Sequence, residues 1–143
     1  MQVTEYEIRG AFFPPNDFLE LDQSYHIIAD LVNHGRLIFL KEEHLVPDLE
    51  NAPANRNESG NHLFLKAVGA YLLRQKGETQ IEYEYANYDV YGLNLMIRVE
   101  CGQTPGSRLL TSFFETVPRD VNEFWTIPYQ PDGEIIQRIR INP

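Results

Sequence analysis

Apolar residues recur at helical spacing in three stretches of the chain. In residues 18–32 they stand at positions 18, 21, 25, 28, 31 and 32, and in residues 61–76 they form one stripe, at Leu63, Phe64, Ala67, Val68, Tyr71 and Leu72. Both patterns predict amphipathic helices. A shorter helix is predicted from Ser107, as its capping residue, to about Glu115, with Leu109, Leu110, Phe113 and Phe114 on its apolar side.

Other stretches alternate polar and apolar positions, which is the pattern of half-buried strands. Residues 80–85 alternate strictly, residues 2–9 alternate loosely, and residues 95–101 separate Ile97 and Val99 from Arg98 and Glu100. Further strands are predicted at residues 37–40, 88–93, 123–129 and 134–141, the last two as a hairpin around the turn at 131–133.

These elements predict an α/β or α+β fold in which helices flank a mixed central sheet. At 143 residues the chain fits one domain that can bury a core. Residues 1–45 are expected to pack as an extension on a core formed by residues 61–143. Residues 46–60 between them are polar, broken by prolines and aperiodic, which predicts a loop.

Composition narrows the class of protein. The chain has no apolar run of the roughly 20 residues that span a bilayer, and residues 1–5 do not resemble a signal peptide. Cys101 is the single cysteine, so neither an intrachain disulfide nor a thiolate zinc site of the usual kind is expected. We therefore expect a cytoplasmic protein that does not enter a membrane.

The net charge of −9 is concentrated at one end of the chain. Residues 1–60 carry −7, whereas residues 61–120 and 121–143 carry −1 each. Since nucleic-acid binding favours a basic face, the total disfavours a free-standing DNA-binding protein, although the nearly neutral central segment weakens that objection. The acidic N-terminal third favours a protein partner or a homo-oligomer instead.

Two acids stand inside apolar, strand-like segments of the central region. Asp89 lies in Tyr88-Asp89-Val90-Tyr91-Gly92, and Glu100 lies 11 residues later in Met96-Ile97-Arg98-Val99-Glu100-Cys101-Gly102-Gln103. A buried carboxylate costs several kcal/mol unless something pairs with it. Each acid therefore needs a partner if it lies inside the protein.

Around these acids the order helix, three strands, helix, strand resembles the core of the restriction-endonuclease-like superfamily, the PD-(D/E)XK nucleases, over about residues 61–130. The resemblance implies that Asp89 and Glu100 hold Mg²⁺, with the carbonyl group of Cys101 as a further ligand, for phosphodiester hydrolysis in nucleic acid. Such a pair suits the ion, because Mg²⁺ binds one or two carboxylates and keeps positions for water and phosphate.

The chain departs from this family at one position. The family's lysine, two residues after the second acid, falls on Gly102, which has no side chain to orient water or neutralise charge. Gln103, Arg108 and Lys66 are the candidates to replace it. A nuclease-like domain that no longer cleaves, and acts as an interaction or regulatory module, is the alternative function.

The same residues also have structural interpretations. Asp89 can simply begin a strand, and Glu100 can pair with Arg98 or Arg108 on the solvent face of an edge strand. His62 is expected at the surface and Cys101 in the core. The tyrosines either stack on bases of a single strand or pack across strands and interfaces, at Tyr83, Tyr85, Tyr88 and Tyr91.

Overall fold

The part of the chain that the structure describes contains a mixed six-stranded sheet. The computed structural model describes residues 2–12, 23–43, 60–85, 88–115, 121–127 and 135–142. The strands are β1 (Leu37–Glu43), β2 (Ile81–Tyr83), β3 (Val90–Gly92), β4 (Ile97–Cys101), β5 (Glu123–Ile127) and β6 (Ile135–Ile141). The helices are α1 (Glu5–Phe12), α2 (Gln23–Asn33), α3 (Gly60–Gln75) and α4 (Gly106–Leu110), which continues into one π-helical turn at Thr111–Glu115.

The strands lie in the order β1-β6-β5-β4-β3-β2. β4 and β5 are parallel, and every other neighbouring pair is antiparallel. The parallel pair is connected through α4, as a parallel connection requires a crossover. The predicted mixed sheet with flanking helices is therefore confirmed, and so is the antiparallel pairing of the last two strands.

Helices cover both faces of the sheet. On one face, α1, α2 and α4 bury Ile8, Tyr25 and Leu109 in a cluster that also contains Phe124 of β5. On the other face, α3 packs its apolar residues against β3, β4 and β5. No helix among the described residues is long and apolar enough to cross a membrane. β4 lies in the interior of the sheet, so all five of its residues are buried.

The strand predicted at residues 2–9 is wrong, because the chain forms helix α1 there. Thr4 and Glu7 make a capping box: the Glu7 amide donates to Thr4 Oγ1 at 3.2 Å, and the Thr4 amide donates to Glu7 Oε1 at 3.4 Å. This exchange satisfies two amides at the helix start. Ile8 and Phe12, one turn apart, are then both fully buried.

Other element boundaries also differ from those predicted. β2 ends at Tyr83 because Glu84 adopts a left-handed conformation, with φ +57°. α4 begins at Gly106 after Pro105, so Ser107 does not cap it. β1 extends to Glu43, beyond the predicted residues 37–40. The predicted loop at 46–60 lies outside the described residues except for Gly60, which begins α3, and so do residues 18–22 and 128–134.

Candidate functional site

Asp89 and Glu100 meet at the ends of two neighbouring strands. In the antiparallel pairing of β3 and β4, Val90 lies opposite Val99 and Tyr91 lies opposite Arg98. One further step in this register places Asp89 opposite Glu100, and their carboxyl groups are within hydrogen-bonding reach of each other. The separation of 11 residues in sequence thus corresponds to a direct cross-strand pair.

Two arginines bind the same oxygen atom of Glu100. Arg98 Nε and Nη2 donate to Glu100 Oε1 at 2.9 and 2.7 Å, and Arg108 Nη2 lies 3.0 Å from that atom. The structural interpretation of Glu100 predicted a pair with Arg98 or Arg108, and the structure contains both pairs. Its predicted place on the solvent face of an edge strand is wrong, because β4 is an interior strand and only 7% of Glu100 is exposed.

Arg98 is held in place by groups from separate parts of the chain. Its guanidinium Cζ lies 3.6 Å from the centroid of the Tyr88 ring and 5.2 Å from that of Phe124. Its Nη1 donates to Ser112 Oγ, and Ser112 in turn donates to the carbonyl oxygen of Arg108 at 2.8 Å. The π-helical turn therefore brings Ser112 to the guanidinium. Such turns are frequent at functional sites.

Burial shifts the proton equilibria of this cluster. Burial raises the pKa of Glu100 to about 7, Arg98 and Arg108 oppose the rise, and the hydrogen bond and charge of Asp89 add to it. Burial also lowers the pKa of Arg98, against the attraction of Glu100. The effect of Asp89 has this direction because two close carboxylates resist joint ionisation, which favours the protonated form of Glu100.

Asp89 has its own partners in the backbone of β4 and in the side chains of α3. The backbone amide of Cys101 donates to Asp89 Oδ2 at 2.8 Å, and His62 Nε2 lies 3.2 Å from Asp89 Oδ1. His62 stands near the start of α3, and 20% of its side chain is exposed. The structure therefore places this histidine at the acid pair, where its helix and the end of β3 meet.

One turn further along α3, Lys66 forms an ion pair with Glu84. Lys66 is buried, whereas 52% of the Glu84 side chain is exposed. The Glu84 amide donates to the carbonyl oxygen of Asp89 at 3.2 Å, which closes the connection between β2 and β3. Residues one turn apart share a helix face. His62 therefore contacts Asp89 and Lys66 contacts Glu84 from the same face of α3, and the backbone hydrogen bond joins these two acids.

The remaining predicted site residues fall into two groups. Arg108 contacts Glu100, and 39% of its side chain is exposed, so it extends from the acid pair towards solvent. Cys101 is buried in the core on the α3 side, as predicted for its thiol. Gln103 is exposed on the loop after β4. Among the described residues, the partners of Asp89 and Glu100 are His62, Arg98, Arg108 and the backbone amide of Cys101, and Gln103 is not one of them.

The sequence patterns did not single out Ser112, and they named Tyr88 only as one of four tyrosines and not as a partner of Arg98. Ser112 stands one turn after Arg108 on a helix, a spacing that carries no signal for an arginine on a neighbouring strand. The ring of Tyr88 precedes Asp89 directly, and only the pairing of β3 with β4 brings it over Arg98. Both contacts depend on tertiary structure.

The donor set only partly fits a magnesium ion. Two carboxylates in contact, beside the backbone of Cys101, suit the oxygen ligands that Mg²⁺ takes. Against this, two guanidinium groups already bind one oxygen of Glu100. No cluster of three or more His, Cys, Asp or Glu side chains able to hold a metal occurs among the described residues.

Comparison of the chain with protein-family models, with curated proteins and with solved structures finds no match. The functional interpretation therefore depends on the residues of this site.

Proposed function

We propose that the protein is a metal-dependent nuclease that hydrolyses phosphodiester bonds in nucleic acid. The observation that carries the proposal is the position of Asp89 opposite Glu100 at the ends of β3 and β4, where the hydrogen bond and charge of Asp89 help to raise the pKa of Glu100. The resemblance to the nucleases implies the same two acids as the metal-binding pair. A structural acid needs only a basic partner, whereas two acids in contact favour a proton or a cation between them.

Asp89 and Glu100 would hold the ion, with the carbonyl group of Cys101 as the further ligand that the nuclease resemblance implies. When bound, the ion lowers the pKa of a coordinated water and stabilises charge on the scissile phosphate. The half-exposed Arg108 is placed to bind a phosphate oxygen, since guanidinium groups pair readily with phosphate. The element order from α3 to β5 also supports the proposal, because it is the order on which the resemblance depends.

Gly102 stands where the nuclease family has a lysine, so another residue must supply that positive charge. Lys66 is the best candidate, because α3 places it one turn from His62, which contacts Asp89. The buried ammonium group is held by Glu84, an acid of the hairpin that ends at Asp89. In this proposal Lys66 stabilises charge on the phosphate and His62 orients Asp89.

The first test is titration calorimetry of Mg²⁺ and Mn²⁺ at pH 8, above the pKa of about 7 for Glu100. Asp89→Asn and Glu100→Gln should both abolish binding, whereas the control Glu82→Gln, which removes an exposed acid of β2, should leave it unchanged. A screen of single-stranded and duplex substrates at low salt then measures cleavage. Absence of metal binding at millimolar concentration in the wild type would overturn the proposal.

One observation favours the second candidate, a nuclease-like module that no longer cleaves. Arg98 and Arg108 neutralise Glu100 and occupy the positions in which a metal ion would interact most favourably with its carboxylate. The protein would then act through a protein partner or through self-association by its acidic N-terminal third. Sedimentation velocity of the wild type at low and high salt tests self-association, and a monomer at all concentrations would contradict that form of the candidate.

A further inference from the structure

An aromatic stack, with one parallel ring pair and one pair tilted by 55°, connects the protein surface with the acid pair. Tyr85 and Tyr91 are parallel, with an interplanar angle of 10° and ring centroids 5.2 Å apart. Tyr91 packs on Tyr88 at 5.4 Å, and Tyr88 lies under the guanidinium group of Arg98. Arg98 in turn donates to Glu100. The stack therefore ends in the site at one side and in the ring of Tyr85 at the other.

Tyr85 differs from the two tyrosines beneath it. Tyr88 and Tyr91 are buried, which confirms packing for these two residues, whereas 44% of Tyr85 is exposed. An aromatic ring that packs in parallel on a buried ring and keeps much of its own surface exposed can offer that surface to another ring. Bases of single strands stack on such rings without regard to sequence, because every base has a π-face.

The exposed ring lies close to the acids. Its centroid is 6.4 Å from that of Tyr88, and Arg98 Cζ is 3.6 Å from the Tyr88 centroid, so the ring lies within about 10 Å of the guanidinium. That distance corresponds to about three base steps of ~3.4 Å. A hydrogen bond of 2.7 Å from the Tyr88 amide to the Tyr85 carbonyl oxygen joins the two residues that carry these rings.

We infer that Tyr85 is a stacking platform for an unpaired nucleobase of a single-stranded nucleic acid whose backbone enters the site beside Arg108. The inference rests on the proposed nuclease function and names its substrate class. Charge supports this occupant at one point, because the half-exposed Arg108 offers a cation to the phosphate backbone next to the acids. Stacking supplies attraction that a chain of net charge −9 cannot gain from electrostatics alone.

The test uses short single-stranded DNA and RNA probes that carry one 2-aminopurine, whose fluorescence falls when it stacks. Titration in EDTA and low salt measures binding without hydrolysis. Tyr85→Leu should weaken binding by about 5- to 150-fold, the range that loss of one stacked base gives. Tyr85→Trp, which keeps a large ring, should bind within twofold of the wild type.

Tyr6→Leu is the matched control, because Tyr6 of α1 is 61% exposed and lies outside the stack. The inference is overturned if Tyr85→Leu binds within twofold of the wild type, if the wild type quenches neither probe, or if unlabelled duplex competes as well as unlabelled single strand. Quenching of only one probe identifies DNA or RNA as the ligand, whereas quenching of both shows that the platform accepts either.

The two proposals fail in different ways. Cleavage is measured separately, with metal present. Stacking on Tyr85 without cleavage would overturn hydrolysis and leave the platform, whereas cleavage with unchanged binding by Tyr85→Leu would overturn the platform alone.

Discussion

The carboxyl group of Glu100 can donate a hydrogen bond to that of Asp89 across the ends of β3 and β4. Glu100 also lies beside Arg98 and Arg108 in a buried site, so its neighbours have opposite effects on its pKa. The arginines favour the carboxylate, and burial and Asp89 favour the acid. The balance favours the acid, because the pKa of Glu100 is raised to about 7.

Glu100 should therefore make the protein less stable as the pH rises. The folded state binds this proton more tightly than the unfolded state, in which the pKa is near 4.5. The contribution is fully present below pH 4.5 and is lost as the pH passes through 7, a change on the order of 3 kcal/mol. Glu100→Gln, which remains a neutral donor, should lack it.

Urea unfolding from pH 4.5 to pH 8 measures this contribution as the difference in the free energy of unfolding between wild type and Glu100→Gln. Other titrating groups cancel in the difference. The variant should gain on the wild type as the pH rises. Parallel curves over the whole range would show that Glu100 titrates normally in the folded protein.

Arg98→Met should be costly at high pH and less costly at low pH. At pH 8.5 the substitution leaves a buried, ionised Glu100 with Arg108 as its remaining cation, and removing one partner of a buried pair costs about 3–5 kcal/mol. At pH 5.5 Glu100 can escape this cost by protonation. Loss of the Tyr88 and Ser112 contacts contributes at both pH values.

Denaturant unfolding at the two pH values measures the effect of Arg98→Met, with Arg74→Met as the control. Arg74 is an exposed residue in the last turn of α3. An equal cost for Arg98→Met at both pH values would contradict the prediction, because the cost would then be independent of the ionisation of Glu100.

Thr4→Ala should destabilise α1 by about 1 kcal/mol, because it removes the acceptor for the Glu7 amide. Glu7→Gln should cost less, since glutamine can also complete a capping box. Glu5→Gln, in the same turn, is the control. Hydrogen exchange of the α1 amides reports the effect directly, and protection in Thr4→Ala equal to that in the wild type would contradict a capping role for Thr4.

α1 also shows where the sequence pattern predicts the wrong structure. Over eight residues, loose alternation and helical spacing compete, and the decisive signals at residues 2–9 are the Thr4–Glu7 pair and the burial of Ile8 with Phe12. In α3 the apolar stripe extends from Leu63 to Leu72, about three turns at 3.6 residues per turn, so its period alone identifies the helix. Long periodic segments are therefore predictable where short ones depend on a single cap.

The same division holds within the site. The spacing of Asp89 and Glu100 predicts two acids on adjoining strands, because a short hairpin fixes which residues face each other. Burial of Glu100 was not predictable, since it follows from the central place of β4, which depends on the parallel pairing with β5. The contact of His62 with Asp89 requires the start of α3 to lie beside the end of β3, a tertiary relationship that local patterns do not encode.

Lys66→Met should separate stability from activity. Methionine replaces a buried ammonium group with an apolar chain of similar length, and its partner Glu84 is half-exposed and can be hydrated instead. Apolar replacement of a buried charge is often neutral or stabilising. The free energy of unfolding should therefore stay within about 1 kcal/mol of the wild type or rise.

Cleavage by Lys66→Met should fall about 100-fold or more, the loss expected when one charge-stabilising group is removed from an active site. Metal binding, measured by calorimetry, should persist because Asp89 and Glu100 remain. Glu84→Gln should retain activity, since it leaves the ammonium group in place, and Lys41→Met, at an exposed position of β1, serves as the control. Activity of Lys66→Met within threefold of the wild type would restrict Lys66 to docking α3 on the hairpin, and the charge that Gly102 lacks would then have to come from Arg108, which already contacts Glu100.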